Sequence, residues 1–273
     1  MSLVSTAQIL ESHKCALAVN VVTLEHAEAF VAASQKTGIG IVLQLSQNAV
    51  KYHGSLAPIG LAMLQLAKQA STDIAVHLDH ATDRQLVTEA INLGFSSVMF
   101  DGSNLETVEN IRQTASVVEE AESKGVWVEA EIGEIGGKDG VHAPGVKTSV
   151  ADAESFQRST AVHGLAIAVG SSHAMVDKGA VIDLVRIAEI AAVVKVPLVL
   201  HGSSGVSRQQ LVAAVQAGVR KINISTELNK TFTEATRRVL EADRALVDPR
   251  KYLSVSRAEL EDHVSNYLTL LCR

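Results

Sequence analysis

Three histidines, His80, His173 and His201, each end a short apolar run and each precede a small residue. Three imidazoles that meet at one point suit a catalytic zinc ion, whose fourth coordination position stays open. The pattern therefore predicts a metal site with zinc as the first choice. Cobalt and iron accept the same ligands and are alternatives. The alternative interpretation is that each histidine is an ordinary polar residue on a loop.

Carboxylates accompany these histidines. Asp79 directly precedes His80, where it can exchange a proton with a substrate hydroxyl held by the metal, or instead cap a helix or bond to a histidine. Glu131 is either an alternate metal ligand or an acceptor for a ligand histidine. Asp139 lies in the glycine-rich segment 133–147, which we interpret as a lid carrying a second acid or base. The alternative for that segment is a surface loop.

Eight short apolar runs position these groups. Each run alternates little between apolar and polar residues, which is typical of strands buried on both faces of a parallel sheet. The predicted strands are 16–22, 38–46, 73–79, 95–101, 126–132, 164–170, 197–202 and 219–225. Helical patterns separate them, as in 104–124, where one buried face is predicted from Val108, Ile111, Ala115 and Val118.

Strand and helix therefore alternate eight times, which predicts an α/β protein: a single (β/α)8 TIM barrel over residues 1–273. An additional C-terminal helix is predicted over 255–271, and Thr82 and Ser207 are predicted to cap two of the barrel helices. A doubly wound open sheet would normally carry a glycine-rich turn after its first strand, and none follows 16–22.

Such barrels place their chemistry at the carboxyl ends of the strands, where this chain has mostly polar residues. The loops after the last two predicted strands are of the type that binds phosphate, with backbone N–H groups and hydroxyls as donors. Their candidate residues are Gly202, Ser203, Ser204, Asn223, Ser225 and Thr226. The alternative is a pair of tight turns with helix caps.

Composition narrows the class of protein. The formal net charge of −6 and the pI near 5.9 argue against a nucleic-acid or anionic-membrane binder. No apolar run approaches the length of a membrane span, and the first residues lack the pattern of a secretory signal, so we expect a cytoplasmic protein. Cys15 and Cys272 show no metal or redox spacing and are interpreted as reduced thiols.

Five motifs in this chain resemble those of the class II, metal-dependent ketose-bisphosphate aldolases. In chain order they are HLDH at 77–80, EAEIG at 129–133, GSSHA at 170–174, LHGSSG at 200–205 and KINISTE at 221–227. The resemblance covers essentially the whole chain. It implies a lyase of carbohydrate metabolism, such as glycolysis, that reversibly cleaves a ketose 1,6-bisphosphate. Fructose 1,6-bisphosphate, giving dihydroxyacetone phosphate and glyceraldehyde 3-phosphate, is the first candidate.

The resemblance also implies roles for individual residues. His80, His173 and His201 would hold zinc, and Asp79 would protonate or deprotonate the C4 hydroxyl. Substrate and phosphate contacts carry over to Asn20, Ser46, Gly202, Ser204, Asn223 and Thr226, and Arg250 matches an arginine that binds the distal phosphate. A monovalent cation, Na⁺ or K⁺, often assists the phosphate site in this family, and its members assemble as homodimers or homotetramers.

The chain departs from the family pattern at several positions. Ala174 stands where the family usually has glycine, Ser225 occupies a variable position that bears on substrate choice, and Asp139 aligns with a lid glutamate. Tagatose bisphosphate and a phosphorylated deoxy-keto-gluconate therefore remain alternative substrates. A metal-dependent hydrolase and a non-catalytic sugar-phosphate sensor are the alternatives from other classes.

Overall fold

The computed structural model describes residues 2–132, 147–171 and 178–273. Eight parallel strands close into a barrel in chain order, β1 to β8, with β8 pairing to β1. The strands are Ala16–Asn20 (β1), Ile41–Ser46 (β2), Ile74–Ala81 (β3), Ser97–Phe100 (β4), Trp127–Ile132 (β5), Gly164–Ile167 (β6), Leu198–Leu200 (β7) and Val219–Ile224 (β8).

Helices surround the barrel and close its amino-terminal end. They are Thr6–Ser12 (α1), Leu24–Thr37 (α2), Gln47–His53 (α3), Ala57–Gln69 (α4), Arg84–Leu93 (α5), Thr107–Glu122 (α6), Val150–Thr160 (α7), Leu184–Val193 (α8), Arg208–Ala217 (α9), Thr226–Ala242 (α10) and Pro249–Leu271 (α11). Among the residues that the structure describes, no helix is both long and apolar enough to cross a bilayer.

The two faces of the strands bury different partners, because successive side chains alternate in direction. Leu17 of β1 and Leu43 of β2 belong to the large core shared with the surrounding helices. Ala18 and Val42, one position away, belong instead to a smaller cluster with residues of α1, which closes the bottom of the barrel interior. The inner face is thus apolar beside α1 at β1 and β2, whereas buried polar residues such as Glu129 and Lys221 lie midway along β5 and β8 and others lie at the mouth.

The predicted barrel and all eight predicted strands are confirmed, with differences at their ends. The prediction for 255–271 was wrong at its start, because the helix begins at Pro249, which suits a first helical turn, after the cap residue Asp248. The cap of α5 was also wrongly placed, since Asp83 rather than Thr82 accepts a bond from the Gln85 N–H. Ser207 caps α9 as predicted. That residues 1–273 form a single domain stays a prediction.

The predicted buried face of 104–124 is confirmed at Val118, which is 3% exposed, and is wrong at its start. Val108 is 80% exposed, and the side chains that α6 buries include Asn110, Thr114, Val117 and Ala121, also at spacings of three and four. The apolar pattern missed this face because polar Asn110 and Thr114 are buried through a hydrogen bond to each other.

Candidate active site

A local distortion of β3 brings two adjacent residues to the mouth of the barrel. In a regular strand, Asp79 and His80 would point to opposite faces. Here the pairing of β3 with β4 shifts register between Leu78 and Ala81, and His80 has a φ of 48°, which non-glycine residues rarely adopt. Such bulges re-aim side chains, and strain of this kind is found at functional sites. His80 Nε2 consequently lies 4.0 Å from Asp79 Oδ1.

Asp79 is held by side-chain amides from two other strands. Asn20 Nδ2 donates to Asp79 Oδ2 over 2.9 Å, and Asn223 Nδ2 donates to Oδ1 over 3.3 Å. Gln44 fixes the Asn20 amide by donating to its Oδ1 over 2.7 Å. Burial raises the pKa of Asp79, but the nearby His80, His201, His77 and Lys221 outweigh it and lower that pKa to about 2. The carboxylate is therefore ionised at neutral pH.

Beside Asp79, three potential metal ligands converge. One ligand atom each from His80, Glu131 and His201 lies within 4.8 Å of the other two. His201 Nδ1 is 3.3 Å from Glu131 Oε2. The side chains of His201 and Glu131 are essentially buried. The structure thus brings together four of the predicted catalytic and metal-binding residues, with Asp79 as the fourth.

Carboxylates orient both histidine rings. His80 Nδ1 lies 2.9 Å from Asp101 Oδ2, and the other oxygen of Asp101 accepts a bond from the Ser103 hydroxyl. His201 Nε2 lies 2.8 Å from Glu129 Oε1. Metal-bound histidines usually donate their second ring nitrogen to a carboxylate in this way, which fixes the ring and its tautomer. Two oriented imidazoles and a carboxylate are a donor set that fits a divalent metal such as zinc.

A buried ion pair lies directly below this cluster. Lys221 Nζ is 2.8 Å from Glu129 Oε2, and both side chains are fully buried. Burial raises the pKa of Glu129, but Lys221 and His201 together hold it well below its usual range. Neither residue was predicted to have a role, although a charge within a largely apolar strand was a usable signal, because burying an unpaired charge is costly.

The predicted phosphate loops lie next to each other. Gly202, with a φ of 66°, leads into a short 3-10 turn, and Ser203 Oγ donates back to Leu200 O over 3.2 Å. Ser204 Oγ accepts the Glu227 N–H over 3.2 Å, which joins this turn to the first turn of α10. Ser225, half-buried, directly precedes that helix and makes no side-chain cap.

A cavity of about 200 Å³ opens beside these loops. Its lining includes Ser204, Thr226, Lys178 and Lys230, with Glu227 on its wall. Lys178 is a cation near the predicted phosphate loops that was not among the predicted site residues. Its position after 170–174, a motif that carries a predicted ligand, was the available signal.

The remaining predicted residues lie elsewhere or cannot be placed. Ser46 pairs with Asp79 in the register of β2 and β3, and its hydroxyl caps α3 by accepting the Ala49 N–H. The Arg250 side chain is 90% exposed and pairs with Asp248, so it does not reach the cluster in this chain. His173 and Asp139 lie outside the described residues, as does Ala174.

A closed barrel with an oriented histidine–carboxylate cluster and an ionised carboxylate at its mouth is the architecture of a metal-dependent (β/α)8 enzyme. Comparison with known protein families identifies the class of enzyme more narrowly than the fold and the site do. The family described as fructose-bisphosphate aldolase class-II matches residues 4–272. The chain belongs to this family of metal-dependent aldolases, which are carbon–carbon lyases acting on small phosphorylated sugars.

Individual relatives agree with this assignment. The fructose-bisphosphate aldolase of Staphylococcus aureus is 34% identical over 249 residues, covering 90% of this chain and 87% of the relative. That of Thermus caldophilus is 34% identical over 280 aligned positions, covering 93% and 91%. A solved structure of a putative fructose-1,6-biphosphate aldolase from Coccidioides immitis has a TM-score of 0.86 at 26% identity, covering 97% of this chain and 95% of its own. The YdjI aldolase of Escherichia coli K12, at 24% identity with a TM-score of 0.84 and coverage of 97% and 94%, supports the fold.

Proposed function

We propose that this protein is a zinc-dependent aldolase that reversibly cleaves fructose 1,6-bisphosphate to dihydroxyacetone phosphate and glyceraldehyde 3-phosphate. The observation that carries the proposal is the position of the ionised Asp79 carboxylate, 4.0 Å from His80 in the histidine–carboxylate cluster. Relatives named fructose-bisphosphate aldolase support the choice of sugar.

In the cleavage direction, Asp79 accepts the proton of the C4 hydroxyl. As that proton leaves, the C4 oxygen becomes a carbonyl, the C3–C4 bond breaks, and its electron pair moves toward the C2 carbonyl. The amides of Asn20 and Asn223 favour the ionised form of Asp79 and fix its direction. In the condensation direction the same carboxyl returns the proton.

His80, His201 and the predicted ligand His173 would hold the metal, with Glu131 as an alternate ligand or hydrogen-bond acceptor. Zinc at this position supplies Lewis-acid polarisation of the substrate carbonyl. Asp101 and Glu129 keep the His80 and His201 rings oriented for this role. Cobalt or iron would fit the same donor set.

The serine and glycine loops after β7 and β8 would bind the phosphate at the dihydroxyacetone end. Lys178, on the cavity wall with Ser204 and Thr226 and paired with Glu227 over 3.0 Å, would add a positive charge for it, and a monovalent cation would add another. Arg250 would bind the distal phosphate. Since its guanidinium is at the surface of this chain, we propose a homodimer or homotetramer. We also propose that the enzyme works in the cytoplasm, where sugar bisphosphates are metabolised.

The experiment is a triose-phosphate release assay on purified protein with fructose 1,6-bisphosphate and, in parallel, tagatose 1,6-bisphosphate. A higher kcat/KM for the fructose substrate supports the proposal. A preference for tagatose bisphosphate would keep the aldol chemistry and replace the sugar. Folded, zinc-loaded protein that releases triose phosphate from neither substrate would contradict the proposal.

A further inference from the structure

We infer that Glu129 is a positioning residue that links the metal ligand His201 to the proton carrier Asp79 through one continuous buried chain of polar contacts. The inference rests on the proposed function and adds a role for two residues, Glu129 and Lys221, below the site. These contacts cross the barrel interior. One set runs from Glu129 on β5 to His201 after β7, and the other runs from Glu129 to β8 and then to β3.

One arm of this chain reaches the metal site. The Glu129 carboxylate accepts the His201 Nε2 proton through Oε1 over 2.8 Å. That bond leaves Nδ1 as the ring atom directed at Glu131 Oε2, 3.3 Å away. Because a carboxylate partner fixes ring rotation and tautomer, Glu129 determines which nitrogen His201 offers to a metal.

The other arm reaches the proton carrier. Lys221 Nζ contacts Glu129 Oε2 over 2.8 Å and also donates to Asn223 Oδ1 over 2.8 Å. With its oxygen so occupied, the Asn223 amide must direct its Nδ2 toward Asp79 Oδ1, at 3.3 Å. A single ammonium group thereby selects the amide orientation that supports the ionised Asp79.

The burial of these groups makes this set of polar contacts rigid. Glu129, Lys221 and His201 are each 0% exposed, so water does not substitute for a missing partner. Truncating one member of a buried charged pair leaves the other uncompensated. Burying these charges therefore costs folding free energy that an apolar core would not cost. We attribute their presence to the two site residues that they connect, His201 and Asp79.

The test uses Glu129→Gln and Lys221→Met, together with the double variant, which removes both buried charges at once. Metal affinity is measured by chelator competition, ligand geometry by the visible absorption of the Co²⁺-loaded protein, and turnover as kcat and KM. Ser97→Ala is the matched control, because Ser97 is equally buried and bonds to Thr6 and His77. It approaches the two arms only through His77, whose Nε2 lies 4.0 Å from Glu129 Oε2.

We expect Glu129→Gln to weaken metal binding by about 10- to 100-fold and to change the Co²⁺ spectrum. The double variant keeps this defect, since the His201 partner is still missing. Lys221→Met is expected to lower kcat by about 10- to 100-fold with a smaller change in KM, because Asp79 loses its orientation. Ser97→Ala should lower the melting temperature while the spectrum and kcat stay unchanged.

Two results would overturn the inference while the proposed function stands. One is an unchanged Co²⁺ spectrum and metal affinity in folded Glu129→Gln; the other is a wild-type kcat in Lys221→Met. Recovery of metal affinity in the double variant would also contradict the inference, because Glu129 would then only compensate the charge of Lys221. If the wild-type protein itself bound no Co²⁺ and cleaved no ketose bisphosphate, the proposed function would fail instead.

Discussion

Asn20 Nδ2 donates a hydrogen bond to Asp79 Oδ2 over 2.9 Å and so joins the end of β1 to β3 inside the mouth of the barrel. The donor direction of this amide is set by its register partner on β2, because Gln44 donates to Asn20 Oδ1 over 2.7 Å. An amide held in this way gives the carboxylate a fixed orientation and favours its ionised form.

Replacing Asn20 with alanine should therefore affect turnover more than metal binding. We expect Asn20→Ala to lower kcat by about tenfold, the order of effect that a lost hydrogen bond to a charged group has. Metal content should stay at the wild-type level, because Asn20 contacts neither His80 nor His201. Gln44→Leu, which acts one bond further away, is expected to show a smaller loss. Equal kcat values in wild type and Asn20→Ala would refute this role.

Asp79→Asn should abolish most of the turnover while the metal stays bound. The amide has nearly the same shape but accepts no proton from a substrate hydroxyl. A positioned acid or base contributes about 10²- to 10⁴-fold to a rate, and we expect a kcat loss in that range. Steady-state kinetics and metal analysis on the same sample check both parts. A kcat of Asp79→Asn close to that of wild type would show that Asp79 has a structural role instead.

Glu227 should make the stability of the fold depend on pH. Tyr267 OH and Lys178 Nζ donate to its carboxylate over 2.8 and 3.0 Å, and His263 Nε2 lies 3.2 Å away. Burial raises the pKa of Glu227, but these contacts outweigh it and lower the pKa from 4.5 to about 2. A lowered folded-state pKa contributes stability above pH 4.5 and loses it as the pH falls toward 2.

We accordingly expect Glu227→Gln to lower the free energy of unfolding by about 1–2 kcal/mol at pH 7, after allowance for solvent screening. In urea titrations, the difference from wild type should shrink as the pH is lowered below 4.5. Glu234→Gln, on the same helix but in an exposed ion pair with Lys230, is the control and should change stability by less than about 0.5 kcal/mol. A Glu227 effect that is independent of pH would contradict the assignment.

Arg250→Ala should raise KM for a bisphosphate and leave the stability of the chain unchanged. The Arg250 side chain is 90% exposed, so its removal creates no cavity. Loss of a charged contact to the distal phosphate should raise KM by about tenfold with little change in kcat. Arg257→Ala provides the control on the same helix, because Arg257 pairs with Glu28. Identical KM values for the two variants would contradict the assignment of Arg250 to the substrate site.

The barrel was predictable because its strands are buried on both faces and read as short apolar runs at regular intervals. The convergence of Asp79, His80, Glu131 and His201 followed from that topology, since the carboxyl ends of all eight strands meet at one mouth. The bulge that turns Asp79 and His80 to the same side was not predictable, because register shifts depend on pairing with β4.

Glu129 and Lys221 were missed for a different reason. Glu129 shares β5 with Glu131, and Lys221 shares β8 with Arg220. Only the contact of Glu129 with Lys221 across the barrel shows that these two charges compensate each other. Asn110 of α6 shows the same limitation, because its burial depends on hydrogen bonds to Thr114 and to Glu131 O, whereas Val108, which the apolar pattern placed inside, lies at the surface. Sequence periodicity records hydrophobicity and does not record pairing between distant polar groups.

The most direct test of the account is metal removal and restoration with fructose 1,6-bisphosphate as substrate. The protein is stripped of metal by a chelator, shown to be folded by circular dichroism, and assayed for triose-phosphate release before and after addition of zinc. We expect activity to disappear with the metal and to return when about one zinc ion per chain is bound. Full triose-phosphate release by folded, metal-free protein would contradict it.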